Sequence, residues 1–479
     1  MSQKKIAIII GSIFLVSAFS SNLVGAISPV TDIESSGNDI ADWTVMYYLC
    51  CENHVSYEAD IRVDNLAKIG SSDDFNIIVL KDGDQNGDSA LYYMEGGNAI
   101  NLNEAVGWPD EIDMGDPNTI TSFISLVKDN YPAKHYAFLI LSDMGSGWQG
   151  ICHDTRAPNK GIPLMSMPTF ANALKDVTND GEDKIDVIVF MPCVVGMFEV
   201  AYEISPYVSY MVASEEHMLE ELDKGPEYIL QYIQSTWNLK NNTDMTPEEF
   251  ASSIVDYYTP CDFPMWVLYS YMILVKKGEY SRFVKVLSDF LTKRVNKLRN
   301  PNFHIVALHT TLSAVKLGNA QDVAEAIDNL SSILLTLNNE HDEDVMQAIA
   351  EARHNVREYG KFYTKNRATA LYYMNIPMEK FAFDSFIDLY DIVNLINDSI
   401  ENQVVKDACI QVMEKLEDAV IANSAMPDDE SHGLSIYFPE NGELYNKYLW
   451  ADEISSPYED LKFSRDTLWD DFLKEYLNV

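Results

Sequence analysis

Five apolar runs, separated by polar or helical segments, occupy the first half of the chain. The runs are WTVMYYLC (43–50), FNIIVLKD (75–82), HYAFLILS (135–142), IDVIVFM (185–191) and SYMVAS (209–214). Apolar residues recur at helical spacing between them, for example in SYEADIRVDNLAKIG (56–70). Strands this apolar are buried on both faces, and their alternation with helices is typical of a mostly parallel sheet covered by helices. The sequence therefore predicts an α/β sheet domain over residues 42–235.

The second half of the chain has a different character, because long segments with helical spacing dominate it. These segments are 225–238, 247–258, 278–298, 319–337, 343–359, 384–397 and 402–422. A short apolar run, HGLSIYFP (432–439), predicts one further strand that ends in a proline turn. No linker rich in Gly, Ser or Pro separates the two halves. We therefore expect a mainly helical region over 236–479 that packs on the sheet domain.

The N-terminus is typical of a secretory signal peptide. Two lysines precede an apolar run from Ile6 to about Phe19, and small residues follow before an expected cut near Ala26. An uncleaved anchor helix is the alternative, but a bilayer span needs roughly 20 apolar residues and this run is shorter. We predict a signal peptide over 1–26 and a flexible lead-in over 27–41. The protein is then secreted or on the cell surface, with no membrane contact after cleavage.

The charge balance excludes some classes of partner. The chain carries 34 Lys and Arg residues against 74 Asp and Glu residues, which gives a net charge of −40. A nucleic-acid binder needs a basic face, and anionic lipid attracts basic segments, so neither partner is expected. The acidic residues are spread along the chain, which is typical of a solvated protein surface.

Six cysteines are scattered along the chain, and none of them forms a Cys-x-x-Cys motif. They are Cys50, Cys51, Cys152, Cys193, Cys261 and Cys409. This number and spacing predict neither a disulfide scaffold nor a structural zinc site. Because export permits disulfides, a bridge from Cys50 or Cys51 to Cys152 stays open.

Chemistry-bearing residues follow three of the predicted strands, and the active sites of parallel sheets form at such strand ends. The three segments are Ser142-Asp143-Met144-Gly145, Met191-Pro192-Cys193 and Ser214-Glu215-Glu216. Cys193 lies between a strand end and a helix N-terminus, where the helix dipole and free N–H groups favour a thiolate. A lone buried cysteine is otherwise a small hydrophobe, so its position alone leaves both roles open.

The order of these segments resembles the clostripain family of cysteine peptidases over nearly all of the chain that follows the signal peptide. The stretches that carry the resemblance are WTVMYYLCCENHVSYEADIRVDNL, KHYAFLILSDMGSGWQG, KIDVIVFMPCVVGMFEVAYEI, YMVASEEHM, HTTLSAVKL, SFIDLYDIV and HGLSIYFP. The resemblance implies a caspase-like fold, in which a mostly parallel sheet flanked by helices precedes a largely helical C-terminal part. It also implies that Cys193 stands at the position of the nucleophile.

Two departures from the family pattern fall on the positions that define the peptidase site. Where the family has Asn-His-Gly, with the histidine as general base, this sequence has Asp-Met-Gly at 143–145, so Met144 replaces that histidine. The family has Asp-Ala-Cys at the second position, with the aspartate in a pocket for Arg or Lys. This sequence has Met-Pro-Cys there, at 191–193. Methionine has no proton to give and only a weakly accepting sulfur. It serves neither as a general base nor as the partner of a cation.

These departures predict a catalytically impaired homologue, a pseudopeptidase, that keeps a cleft for a peptide or protein ligand. The residues expected around the cleft are Met144, Gly145, Met191, Cys193, Ser214 and Glu215. An active cysteine endopeptidase is the alternative, with His153 as a displaced base that Asp154 orients. A purely structural surface protein, whose helical half makes the contacts, is a third hypothesis.

Acidic residues recur in the segment DGDQNGDSALYY, which runs from position 82 to position 93. The first half of an EF-hand calcium loop has the spacing found here for Asp82, Asp84, Asn86 and Asp88. Tyr93 stands where the bidentate glutamate belongs, so a complete EF-hand is excluded. The predicted function requires no cofactor. A partial calcium site and an ordinary polar hairpin turn both stay open, and the resemblance adds that some clostripain relatives use calcium.

Overall fold

The computed structural model describes residues 40–52, 56–142, 145–152, 154, 164–192, 194–216, 231–258, 262–264, 307–359, 385–426, 429–446 and 456–479. The predicted signal peptide, nearly all of the lead-in and the predicted helix at 278–298 lie outside these residues. The described strands are β1 (Ala41–Cys50), β2 (Phe75–Asp82), β3 (Ala90–Glu95), β4 (Asn98–Asn101), β5 (Ala133–Ser142), β6 (Ile185–Phe190), β7 (Val208–Ala213), β8 (Asp262–Pro264), β9 (Ala307–His309), β10 (Leu312–Lys316), β11 (Glu358–Tyr359), β12 (Phe386–Asp388), β13 (Val420–Ser424) and β14 (Ser435–Tyr437).

A sheet of nine strands forms the centre of the described part of the chain, in the order β13-β10-β7-β6-β5-β1-β2-β3-β4. The inner strands β7, β6, β5, β1 and β2 are parallel, and each outer strand is antiparallel to its inner neighbour. The predicted mostly parallel sheet is therefore confirmed. Because the inner strands share one direction, their carboxyl ends meet at a single edge, which we call the carboxyl edge.

Helices cover both faces of this sheet. The described helices are α1 (Ser56–Ile69), α2 (Asn103–Val106), α3 (Pro117–Asn130), α4 (Met167–Val177), α5 (Phe198–Ile204), α6 (Gln231–Asn241), α7 (Pro247–Asp256), α8 (Ala320–Asn339), α9 (Glu343–Asn355), α10 (Leu389–Ser399), α11 (Gln403–Ala419), α12 (Lys462–Asp466) and α13 (Trp469–Leu477). Successive strand residues point to opposite faces. Thus Tyr48 packs in the apolar cluster that contains Phe123 of α3, whereas Tyr47 packs in the cluster that contains Leu66 of α1.

Local signals explain where several helices begin. In α3, the Asp116 side chain accepts a hydrogen bond from the Asn118 N–H at 2.8 Å, and Pro117 occupies the first turn. In α7, Thr246 and Glu249 form a reciprocal capping box. Both patterns satisfy N–H groups that have no partner inside the helix.

The C-terminal helices share the core of the sheet. The apolar cluster that contains Tyr48 continues into Val323 of α8, Ile392 of α10, Val412 of α11 and Leu473 of α13. The predicted helical C-terminal part is therefore confirmed, and it packs directly against the strands. Among the described residues, no helix combines the length and apolar composition needed to cross a bilayer.

Three predicted helices extend too far, because long-range pairing takes over their ends. The helix predicted at 384–397 begins only at Leu389, because residues 386–388 form β12 and pair with β14. The helix predicted at 402–422 ends at Ala419, and the following β13 pairs with β10 in the main sheet. The helix predicted at 343–359 ends at Asn355, and β11 then pairs with β12 in a small sheet that also contains β14. The C-terminal half thus adds strands to the sheet as well as helices around it.

A buried carboxyl group connects α5 with the C-terminal segments. Oε1 of Glu199 accepts hydrogen bonds from the Tyr437 N–H and the Tyr458 hydroxyl, each at 2.8 Å. Its other oxygen, Oε2, makes no hydrogen bond within the described part of the chain. Burial raises the pKa of Glu199 from 4.5 to about 7, although these hydrogen bonds act in the opposite direction. The folded state therefore prefers the protonated form of this side chain.

We predict that Glu199 makes the protein less stable as the pH rises. Below pH 4.5 the carboxyl group is protonated in both the folded and the unfolded state. Between pH 4.5 and about 7 it ionises in the unfolded state while it stays mostly protonated in the folded state, and this difference favours unfolding. Above pH 7 the free energy of unfolding is lower by about 3 kcal/mol than it is below pH 4.5. In Glu199→Gln this contribution should vanish. Thermal unfolding of both proteins from pH 4 to pH 8 measures it, and a constant difference in Tm across that range would contradict the prediction.

Candidate active site

The two segments that carry the predicted peptidase positions leave the sheet side by side. β5 and β6 are parallel neighbours in which Ile140 pairs with Phe190, and the Met191 N–H donates to the Ile140 carbonyl at 2.9 Å. Both strands end at the carboxyl edge. Met144, His153 and Cys193 themselves lie outside the described residues, so their proposed roles stay predictions.

The glycine-rich segment after β5 packs against the C-terminal half. Gly145 is buried, and residues 147–149 form a buried 3₁₀ turn. Gly147 has φ +58°, and a Cβ there would lie 2.5 Å from Met197 Sδ and 2.9 Å from the Phe386 ring. The Trp148 ring lies 5.1 Å from that of Tyr458, centroid to centroid. Glycine at 147 is therefore required both by the backbone conformation and by the close approach of these side chains.

The segment after β6 bonds to the end of β7. Met191 is only 2 % exposed and belongs to an apolar cluster with Leu141. Val194, the residue after Cys193, has φ +54°, which is rare for a β-branched side chain. Its N–H donates to the Glu216 carbonyl at 3.2 Å, and the Gly196 N–H donates to Ser214 at 2.7 Å. Backbone strain of this kind is concentrated at functional sites.

The polar residues after β7 are buried and bonded internally. The Ser214 hydroxyl donates to the Glu216 carbonyl at 2.9 Å and lies 3.1 Å from the Thr311 hydroxyl. Oε2 of Glu215 accepts hydrogen bonds from the Ser431 hydroxyl at 2.5 Å and the Gly433 N–H at 3.2 Å. The carboxyl group of Glu215 is therefore turned into the protein.

Acidic neighbours surround Glu215. Burial and, next, the charge of Asp388 raise the pKa of Glu215 well above its ordinary value of 4.5. Asp388 in turn accepts a hydrogen bond from the His432 N–H at 2.6 Å, and its other oxygen lies 3.1 Å from His432 Nδ1. Sequence reasoning did not find these partners. Asp388 and His432 do lie in SFIDLYDIV and HGLSIYFP, two stretches that carry the family resemblance.

A second acidic group lies at the same edge, at the ends of β1 and β2. Glu52, Asp82 and Asp154 are buried, and one carboxylate oxygen from each lies within 4.8 Å of the others. Burial raises the pKa of Asp82 to about 7, a hydrogen bond from Ser89 opposes the shift, and the charge of Asp154 adds to it. This acid trio is the group of described side chains that could hold a metal ion.

The remaining residues of the predicted calcium loop have other contacts. Asp84 and Asn86 are exposed, and Asp84 Oδ1 accepts hydrogen bonds from the Ser56 hydroxyl and the Gln85 side chain. Asp88 Oδ1 accepts a hydrogen bond from the Gly83 N–H at 2.9 Å. Asp82 alone among the four belongs to the acid trio. The partial EF-hand site stays a prediction.

The cysteines that the structure describes carry thiol side chains. They are Cys50, Cys51, Cys152 and Cys409, and all four are buried. The Cys50 thiol hydrogen-bonds with Cys152, and this contact, together with burial, raises the pKa of Cys50. The bridge that the sequence left open is thus a contact between two thiols in this structure.

The comparisons with known proteins agree with this geometry. A family model described as the clostripain family matches residues 47–476. The chain belongs to the clostripain family. Clostripain of Hathewaya histolytica is 22% identical over 466 residues, which cover 88% of this chain and 79% of that protein. The family resemblance that the motifs predicted is confirmed.

A solved structure confirms the fold of this clostripain-family member. The inactive zymogen of a C11 protease from Parabacteroides distasonis matches 89% of this chain and 98% of its own, with a TM-score of 0.54. The two sequences are 17% identical, so the likeness concerns the fold alone. The predicted caspase-like α/β architecture is therefore confirmed, within a family of C11 cysteine proteases.

We predict that the contact between Gly196 and the end of β7 tolerates no side chain. A Cβ at Gly196 would lie 2.6 Å from the Ser214 carbonyl carbon and 2.8 Å from the Glu215 nitrogen, both backbone atoms that cannot rotate away. Gly196→Ala should lower the free energy of unfolding by about 1–3 kcal/mol, measured by urea denaturation. Gly318→Ala is the matched control, because a Cβ there meets no atom within 4 Å. Equal stability of the two variants would contradict the prediction.

Proposed function

We propose that this clostripain-family protein is a secreted, catalytically impaired homologue that binds a peptide or protein at the carboxyl edge. The alternative is an active cysteine endopeptidase that uses Cys193 with a displaced base such as His153. The signal peptide predicted over residues 1–26 is the basis for the proposed export.

The first support is the residue type at position 144. A cysteine peptidase needs a group that takes the thiol proton and later protonates the leaving amine. The thioether of Met144 can do neither. Members of a catalytic pair act as a unit, so the loss of one can remove most of the rate.

The observation that carries the proposal is the state of the carboxyl groups near the predicted nucleophile. A pocket for Arg or Lys needs an accessible carboxylate. Met191 supplies none, and its side chain is buried among apolar residues. Glu215 is also buried, accepts hydrogen bonds from Ser431 and Gly433, and has a pKa raised by burial and by Asp388. Neither residue is available to anchor a basic substrate side chain.

The described contacts of Asp154 anchor the segment that follows β5. Oδ2 of Asp154 accepts the Met114 N–H at 2.8 Å, and the side chain belongs to the acid trio with Asp82. The alternative needs this same side chain to orient the imidazole of His153.

Peptide binding does not depend on the missing base. In the family, substrates lie beside the sheet in extended form, and main-chain hydrogen bonds provide much of the affinity in such a mode. The carboxyl edge, beside which such a ligand would lie, is formed by β5, β6 and β7, which pair in parallel. The ligand is therefore expected to be an extended segment without a requirement for Arg or Lys.

We predict no Cys193-dependent proteolysis. The purified protein and its Cys193→Ala variant should give the same result, no cleavage, when incubated with a diverse peptide library and analysed by mass spectrometry. Both proteins should retain the same subset of library peptides in a pull-down. Cleavage that Cys193→Ala abolishes would contradict the proposal, and additional loss in His153→Ala would establish the alternative.

We also predict that Met144→His alone restores little activity. The new imidazole supplies a base, but Met191 still leaves no charge for a basic side chain. The rate on an Arg or Lys peptide should rise by no more than about 100-fold over the Cys193→Ala background, the low end for a general base. Fluorogenic peptide assays measure this rate. Strong Arg-specific cleavage by the single variant would show that position 191 does not limit the pocket.

A further inference from the structure

We propose that Cys50 and Cys152 are joined by a disulfide in the exported protein, and that this bond fixes the segment after β5 to the end of β1. The inference rests on the proposed export, which supplies oxidising surroundings, and not on the proposed peptide binding. The sequence allows either Cys50 or Cys51 as the partner of Cys152, and the fold distinguishes between the two.

The alternation of side chains along β1 selects Cys50. Cys50 is the last residue of the strand, and Cys51 follows it directly. Because successive side chains of a strand point to opposite faces, the two thiols lie on opposite sides of the sheet. Cys50 and Cys152 belong to the apolar cluster that contains Tyr48, whereas Cys51 belongs to the cluster that contains Tyr47. Only Cys50 of this adjacent pair therefore shares a side of the sheet with Cys152.

The thiols of Cys50 and Cys152 are already in contact. They hydrogen-bond with each other, and both residues are 0 % exposed. By contrast, burial alone raises the pKa of Cys409, which lies in α11. A disulfide forms only between cysteines that are close and whose side chains point toward each other. The hydrogen bond meets the second condition, so the disulfide needs a shortening of this contact rather than a new approach of the two segments.

The backbone on both sides of Cys152 holds this contact in place. Ile151 and Met165 exchange two backbone hydrogen bonds of 2.9 Å, and Oδ2 of Asp154 accepts the Met114 N–H at 2.8 Å. Cys152 itself has φ +57°, a left-handed conformation that is uncommon for residues other than glycine. A residue stays in such a conformation only where its surroundings fix it. The fold therefore determines where the Cys152 sulfur lies.

The bond forms by thiol–disulfide exchange with an external disulfide, such as that of an oxidoreductase or of oxidised glutathione. The thiolate of one cysteine attacks this disulfide, which releases one thiol and leaves a mixed disulfide. The thiolate of the second cysteine then attacks the protein sulfur of the mixed disulfide and releases the other thiol. In sum, the two cysteines lose two protons and two electrons, which convert the external disulfide into two thiols.

The burial of both thiols indicates when this exchange takes place. The attacking group is a thiolate, and the contact with Cys152, together with burial, raises the pKa of Cys50 in the folded protein. An external disulfide also has no access to sulfurs that are 0 % exposed. The bond is therefore expected to form during folding, before the sulfurs are enclosed, and to resist reduction afterwards.

A bond at this place would act on the candidate site. Cys50 pairs with Ser142, the last residue of β5, because β1 and β5 are parallel neighbours. Cys152 lies at the far end of segment 145–152, which contains the 3₁₀ turn at 147–149. The disulfide would thus attach both ends of this segment to the sheet. The two cysteines are about 100 residues apart, and closure of so long a loop lowers the entropy of the unfolded chain.

The experiment uses the full chain without the predicted signal peptide, reduced and unfolded, and then refolded with either a glutathione redox buffer or dithiothreitol. Remaining thiols are blocked with N-ethylmaleimide in denaturant, and the digested protein is analysed by mass spectrometry. The oxidised protein should contain a peptide pair that links Cys50 and Cys152, with maleimide on Cys51 and Cys409. Its Tm should exceed that of the reduced protein by at least about 3 °C, because the bond closes a long loop.

Substitutions separate this bond from a general effect of oxidation. The difference in Tm between the oxidised and the reduced protein should vanish in Cys50→Ala and in Cys152→Ala. It should persist in Cys51→Ala, the matched control at the adjacent position. The peptide mapping needs only the wild type, so it decides the question even where a variant fails to fold.

Three results would overturn the proposal. They are maleimide on both Cys50 and Cys152 after oxidative refolding, a link from either of them to another cysteine, or a redox difference in Tm that survives in both Cys50→Ala and Cys152→Ala. Because glutathione supplies the oxidant in the test tube, neither export nor peptide binding enters this test, and a failure here is separate from a failure of the proposed function.

Discussion

Parallel pairing of β7, β6, β5, β1 and β2 is the constraint on which the rest of the molecule depends. Helices cover both faces of these strands, and their side chains are buried along nearly their whole length. Polar and charged groups consequently collect where the strands end. Asp82, Ser142 and Glu215 are buried there, each one at or just after the end of a different strand. The same pairing that builds the core therefore creates the edge at which the candidate site lies.

The sequence predicts the sheet because the relevant signal is local. Apolar runs such as 43–50 and 135–142 predict buried strands, and β1 and β5 occupy those positions. The ends of α9 and α11 were not predictable in the same way. Residues 420–422 continue the predicted helical segment, yet they belong to β13, which pairs with β10, a partner about 110 residues earlier in the chain. Hydrogen bonds with so distant a strand leave no trace in the local spacing.

The candidate site likewise has a part that local sequence patterns predict and a part that depends on long-range contacts. The strand ends follow from the apolar runs, whereas the replacement of a histidine by Met144 is a prediction from the order of motifs. The contacts of Glu215 with Ser431 and Gly433 bridge more than 200 residues, and only the folded chain reveals them. The acid trio is similar, since its members are separated by long stretches of sequence. The EF-hand spacing selects Asp82 with its near neighbours in the sequence, whereas Glu52 and Asp154 lie too far along the chain for any spacing pattern to include them.

The packing of Trp148 has a consequence for how this protein can diverge. Trp148 contacts Tyr437 and Tyr458, Gly147 faces Phe386, and Glu215 is held by Ser431. The last hundred residues thus provide part of the packing at the carboxyl edge of the first half of the chain. Exchange of either half with a distant relative by recombination would leave mismatched surfaces at the edge itself, so the two halves are expected to be inherited together.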